Sequence, residues 1–196
     1  IDSNNEDNQM QYLYHFTSQK AAEKIVADGS ILLGRFLSSN GVVMENSAVS
    51  LTTDKDPVGH GLPDGREITP KQAETLKYYT IINDRLHSIN NIKCRITIAP
   101  TGLDIVSASE YYKNSPDLLR GLSIAAYFPV GFDGIGPTHE KDILIKSKAS
   151  TWWYSFVPIT VASNIISFGI DITGEGKHYE ELSPPDFQQL CQYIHQ

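Results

Sequence analysis

A chain of 196 residues carrying a net charge of −7 is long enough to bury the core of one domain. Its 40% hydrophobic and 20% charged residues exclude a disordered chain. The longest apolar run, Val161 to Ile172, is cut by Ser163, Asn164, Ser167 and Gly169, so no segment approaches the about 20 residues of a membrane helix.

The 16 Lys and Arg residues are scattered, which argues against an extended nucleic-acid surface but leaves a local basic groove open. The net acidity alone serves solubility. Cys94 lies in an alternating pattern and Cys191 on an apolar helix face, so both read as buried thiols, with a disulfide between them left open. There is no His-x-x-x-His and no close cysteine pair, so no metal is expected. The chain opens on Ile1, which reads as a fragment or processed form whose targeting or delivery segment would lie upstream.

Residues 1–11 are polar and acidic without periodicity and read as a flexible leader, which leaves 12–196 as a single domain. Tyr12 to Thr17 suits a short aromatic strand. Thr17 or Ser18 then caps a helix from about Gln19 to Asp28, stopped by Gly29. Val49 to Thr52 reads as a strand that runs into the turn-rich segment Asp54 to Arg66. Thr69-Pro70-Lys71-Gln72 is a capping-box helix start with Pro at the first helical position.

Lys93 to Ile98 alternates as a half-buried strand does, and Ser115-Pro116-Asp117 starts a helix carrying Leu118, Leu119, Leu122 and Ala126. Asp142 to Ile145, Trp152 to Val157 and Asn164 to Ile172 are expected as strands. Ser183 to Asp186 opens a last helix with Phe187, Leu190, Cys191 and Ile194 along one stripe. Helices early and short strands later point to an α+β fold rather than a parallel α/β sheet.

Five groups of residues could carry chemistry. On a strand, His15 and Thr17 point the same way and could hold a diol such as a ribose; the plainer alternative is a core histidine beside a helix cap. Ser50 and Thr52 share a face in the same manner, as ligand-binding hydroxyls or an ordinary solvated face. In the loop Gly59 to Arg66, His60 between two glycines suits a general base and Arg66 a phosphate grip, unless Asp64 and Arg66 simply brace a surface turn. The pairs Tyr78-Tyr79 and Tyr111-Tyr112 offer faces for a flat cationic ring, or core and interface packing. Glu140 and Asp142, at the head of an expected strand, share a face and could hold a substrate hydroxyl and position an acceptor, or merely solubilise the strand end.

In chain order, His15-Phe16-Thr17, Ser50-Leu51-Thr52 and Glu140-Lys141-Asp142-Ile143-Leu144 resemble the three motifs of the ADP-ribosyltransferase fold, in particular toxin domains at the C-termini of bacterial polymorphic toxins. That resemblance implies two small packed antiparallel or mixed sheets with flanking helices. It implies NAD as substrate, its adenosine-side ribose on His15 and Thr17 and its nicotinamide against a tyrosine, with Ser50, Thr52, Tyr78, Tyr79, His60 and Arg66 completing the site. Glu140 or Asp142 would stabilise the oxocarbenium-like transition state. Asp142 stands where the family carries its catalytic glutamate, so Glu140 or Glu110 could take that role. The resemblance further implies a secreted or delivered effector acting in the cytoplasm of a target cell, a macromolecular acceptor and an immunity protein. The alternatives are a metal-independent ribonuclease using His15 and His60, with Arg66 or Lys141 on the phosphorane, and a non-catalytic binding module of the same fold.

Overall fold

The computed structural model describes residues 11–34, 47–76, 78–127 and 139–194. Apart from Gln11, the polar leader lies outside them, as does Thr138. The described chain is mixed α+β, built on one large antiparallel sheet with helices packed around it.

The first unit follows local chemistry closely. Strand β1 (Leu13–Thr17) leads straight into helix α1 (Gln19–Asp28). The Ser18 hydroxyl, rather than that of Thr17, caps the helix by accepting the Ala21 amide at 3.3 Å. Gly29 ends it in the left-handed region at φ 75°, where a glycine costs nothing. Strand β2 (Ser30–Ile31) follows, then β3 (Val49–Thr52).

Helix α2 (Pro70–Leu76) opens on a reciprocal cap: Thr69 Oγ1 accepts the Gln72 amide at 3.3 Å and Gln72 Oε1 accepts the Thr69 amide at 2.9 Å. A hairpin not anticipated from the sequence comes next, β4 (Tyr79–Ile82) and β5 (Arg85–Ser88), turning through Asn83 and Asp84, both at positive φ.

The rest alternates short elements: β6 (Cys94–Ile98), β7 (Ile105–Ser107), α3 (Ala108–Tyr111), α4 (Pro116–Tyr127), α5 (His139–Ala149), β8 (Trp152–Ser155), β9 (Ile159–Thr160), α6 (Val161–Asn164), β10 (Ile165–Asp171), β11 (Tyr179–Leu182) and α7 (Pro184–Ile194). Seven strands form the main sheet in the order β11-β10-β6-β1-β3-β8-β7, while β2 pairs β9 and β4 pairs β5. The two packed sheets expected from the sequence are therefore one continuous sheet, because β1 pairs on both its edges. The two edges differ. Five residues of β1 stand in register with β6, but only Tyr14 faces a partner, Thr52, on β3.

The expected strand at Asp142 to Ile145 is instead part of helix α5. A run of three apolar residues, Ile143 to Ile145, is too short to separate the two periods, and the charges decide it. Glu140 and Asp142 fall in the first turn and Lys146 and Lys148 in the last, complementing the helix dipole at both ends. On a helix, positions two apart are turned by about 200°, so Glu140 and Asp142 do not share a face.

Alternation in the strands sorts two cores. Leu13, Val49, Leu51, Cys94, Ile96, Ile98 and Phe168 pack with Ala22 and Ile25 of α1 and Phe187 of α7. Phe168 and Phe187 stack with ring centroids 4.5 Å apart. A second cluster gathers Ala48, Ala108, Tyr112 and Tyr154. Cys94 is fully buried, which pushes its thiol up to about 12. Cys191 is only partly buried, and both cysteines are free. Among the described residues no helix is long and apolar enough to cross a membrane.

Candidate functional site

Where β1 and β3 part beyond their single register pair, a cavity of about 310 Å³ opens. Strand β1 contributes Tyr14, His15 and Phe16 to its lining, and β3 contributes Ser50, Leu51 and Thr52. His60 and Leu62 come from the glycine-rich loop, Leu122 and Ala126 from α4, Trp152 and Tyr154 from β8. The aromatic wall follows from register: β3 and β8 place Ser50 opposite Tyr154 and Thr52 opposite Trp152, so both hydroxyls share a sheet face with the rings.

His15 Nδ1 lies 2.9 Å from the carbonyl oxygen of Ser50. A carbonyl only accepts, so Nδ1 carries the proton and Nε2 of the neutral ring is left as an acceptor. Burial holds this imidazole below the ordinary histidine range, with the bond to Ser50 pulling partly the other way.

His60 is held from two sides. The Trp152 indole N–H donates to His60 Nδ1 at 2.8 Å, and indole is a donor only, so Nδ1 is bare and Nε2 protonated. Nε2 is buried, makes no hydrogen bond, and faces Asp54 Oδ2 at 3.6 Å. Lys148 of α5 donates to Asp54 Oδ2 at 2.6 Å and reaches Asp56 at 3.3 Å. Burial lowers the His60 ring's affinity for a proton, and the Lys148 charge lowers it further against the pull of Asp54 and Asp56. For Asp54, burial pushes the carboxyl up, but the bonds from Lys148 and the Asp56 amide outweigh it and leave the group below its usual range.

The Thr52 hydroxyl is already engaged. It accepts the Asp54 amide at 3.0 Å and meets Thr151 Oγ1 at 2.8 Å; Thr151 gives its own proton to the Lys148 carbonyl, so Thr52 is the donor of that pair. Ser50 is exposed in the cavity lining.

Of the residues singled out in the sequence, the fold therefore gathers His15, Ser50, Thr52 and His60. Thr17 is buried and outside the lining. Tyr78 is exposed just before the hairpin and Tyr79 is exposed on β4, neither in the cavity lining. Arg66 is paired with Asp64 at the surface, the bracing contact that was the alternative for that loop. Glu140 is exposed, and Asp142 bridges Arg120 at 3.4 Å and Lys146 at 3.0 Å beside a separate cleft between α4 and α5. Glu110, on the short helix α3, pairs with Lys113 just beyond it. Tyr111 and Tyr112 join Tyr154 in an edge-to-face cluster, where burial pushes the Tyr112 hydroxyl up to about 12.

Sequence reasoning missed Trp152 and Tyr154 as lining residues. The period of a strand puts Trp152 and Tyr154 on one face and Trp153 on the other, but only the register with β3 says which face meets the cavity. Among the described residues no group of three or more His, Cys, Asp or Glu could hold a metal ion. Comparison with protein-family models, curated proteins and solved structures found no match.

Proposed function

We propose that the cavity binds NAD and that the protein is an ADP-ribosyltransferase of the effector or toxin kind, releasing nicotinamide and passing ADP-ribose to a macromolecular acceptor. The observation that carries this reading is His15, its tautomer fixed by the Ser50 carbonyl, lining one cavity together with Ser50, Trp152 and Tyr154. An accepting imidazole nitrogen and a hydroxyl suit a ribose diol, and flat rings suit a nucleobase or pyridinium.

In this reaction the bond between the ribose carbon and the pyridinium nitrogen breaks, and its electron pair neutralises the departing nicotinamide. The oxocarbenium-like carbon is then captured by an acceptor nucleophile, which loses its proton. His15 Nε2 orients a ribose hydroxyl by accepting its hydrogen bond. A carboxylate stabilises the developing charge. The resemblance assigns that role to Glu140 or Asp142, which lie outside the cavity lining, whereas Asp54 stands against the cavity wall through His60.

The test is nicotinamide release from NAD in the presence of a crude lysate. Loss of release in H15N supports the reading, and E140Q, D142N and D54N separate the three carboxylates. No release and no thermal shift with NAD would refute it.

A second reading, a metal-independent ribonuclease, is favoured by one observation: His15 and His60 line the same cavity. Against it, His60 Nε2 is buried and directed at Asp54, and neither Arg66 nor Lys141 lines the cavity. RNA cleavage without NAD that is lost in H60A would turn the choice to this reading.

A further inference from the structure

We propose that His60 is a positioning residue that holds the Trp152 indole as the stacking wall for a flat heteroaromatic ring, and that protonation of His60 releases this wall. The inference rests on reading the cavity as a nucleotide site.

The geometry sets the mechanism. Trp152 Nε1–H donates to His60 Nδ1 at 2.8 Å, which fixes the indole within its plane at the edge of the cavity. The imidazole is in turn wedged, its ring nearly parallel to that of Phe16 (20° between planes, centroids 6.4 Å apart). The His60 side chain is only 6% exposed, so its position is set by packing rather than by solvent.

A proton can be added only at Nδ1, since Nε2 already holds one. An imidazolium presents N–H at both nitrogens, so two donors then face each other across the contact with Trp152. The hydrogen bond becomes a repulsion, and the indole loses its anchor.

The charged groups facing His60 set the balance. From the segment after β3 come Asp54, at 3.6 Å from Nε2, and Asp56; from α5 comes Lys148, which bridges both. Strands β1 and β8 present Phe16 and Trp152 to the ring and bring the titratable Tyr14, His15 and Tyr154 into the same cavity lining, while Leu122 and Ala126 of α4 carry no charge. Burial and Lys148 oppose the imidazolium, and the two aspartates favour it.

The protein has two tryptophans, so a W153F background leaves Trp152 as the sole indole. Its emission is followed from pH 7.5 to 5, because an imidazolium in contact quenches indole and a neutral imidazole does so far less. The proposal expects a fall in emission with a midpoint below 6.5 that is absent in H60N/W153F, where Asn Oδ1 still accepts the indole proton but cannot titrate.

Ring binding is measured on the same proteins with two probes, NAD and adenosine monophosphate. At pH 7.5, H60N should bind within about 3-fold of the parent and H60L about 5-fold more weakly, the scale of one net hydrogen bond. In the parent, affinity should fall through the same midpoint as the emission; H60N should remove that step and leave only the fall that protonation of His15 brings. A flat emission profile, an identical titration in H60N/W153F, or binding of neither ring would overturn the proposal. Binding of adenosine monophosphate with this pH dependence, without NAD turnover, would sustain it while refuting the transferase reading.

Discussion

Replacing His15 should separate two roles of one ring. In H15A the Ser50 carbonyl loses its donor at the place where β1 and β3 part. A buried acceptor left without a partner costs about 1–3 kcal/mol. The cavity admits water to this one, so the low end of that range applies, about 1–1.5 kcal/mol. For a domain of this size that is a fall in Tm of about 2–6 °C. In H15N the side-chain amide restores an N–H close to the Nδ1 position, and stability should return to within about 0.5 kcal/mol of the parent. Neither variant retains the Nε2 acceptor. Both should therefore lose the ribose contact, about 1.5–3 kcal/mol in the transition state, or roughly 10- to 100-fold in kcat/KM. Urea denaturation followed by far-UV circular dichroism reads the first effect and nicotinamide release the second. Equal destabilisation of H15A and H15N would refute the strut. Unchanged turnover in H15N would refute the site.

Stability should depend on pH below neutrality. His15 and His60 both bind protons less readily folded than unfolded, so the stability tied to their neutral forms is complete above pH 6.5 and is lost as pH falls from there through their lower folded values. Urea midpoints at pH 7.5 and 5.5 should differ in that direction, and less so in H60N; a midpoint that rises on acidification would contradict the linkage. F168A removes a fully buried ring stacked on Phe187 of α7 and should cost about 3–5 kcal/mol, read as a lowered urea midpoint without loss of helical signal in the native baseline. G61A meets two obstacles, a φ of +75° and a Cβ that would stand 3.1 Å from the Ala126 Cα, so it should cost at least about 1 kcal/mol and shift the His60 loop away from α4. A thermal melt and the Trp152 emission report both effects; an unaltered G61A would show that the loop yields without strain.

Much of the scaffold is legible in the sequence because local chemistry dictates it. Ser18 and Gly29 bracket α1, the Thr69–Gln72 cap starts α2, and the alternation through Cys94 to Ile98 marks β6. What escaped depends on period or register. The segment from Glu140 to Ile145 is three charged residues followed by three apolar ones, too short a run to distinguish a strand from a helix, and the signal that settles it, acids before lysines, spans a longer window. The hairpin of β4 and β5 has exposed apolar residues on its outer strand, so no inward face announces it. In the site, His15, Ser50, Thr52 and His60 were recognisable as polar groups placed near turns. Trp152 and Tyr154 were not, since a one-residue slip of β8 against β3 would send Trp153 to the cavity instead.

The single register pair joining β1 to β3 has a mechanical meaning. A ladder resists shear through many parallel rungs, and here β11-β10-β6-β1 forms one plate and β3-β8-β7 another, riveted at Tyr14 and Thr52. Torque applied to either plate concentrates on that rivet, while each plate keeps its own ladder intact. The cavity is lined from both plates, by Tyr14, His15 and Phe16 on one side and Ser50, Leu51 and Thr52 on the other. Thr52 is therefore both rivet and cavity wall, and its bonds to Thr151 and the Asp54 amide tie the axis to the loop that carries His60.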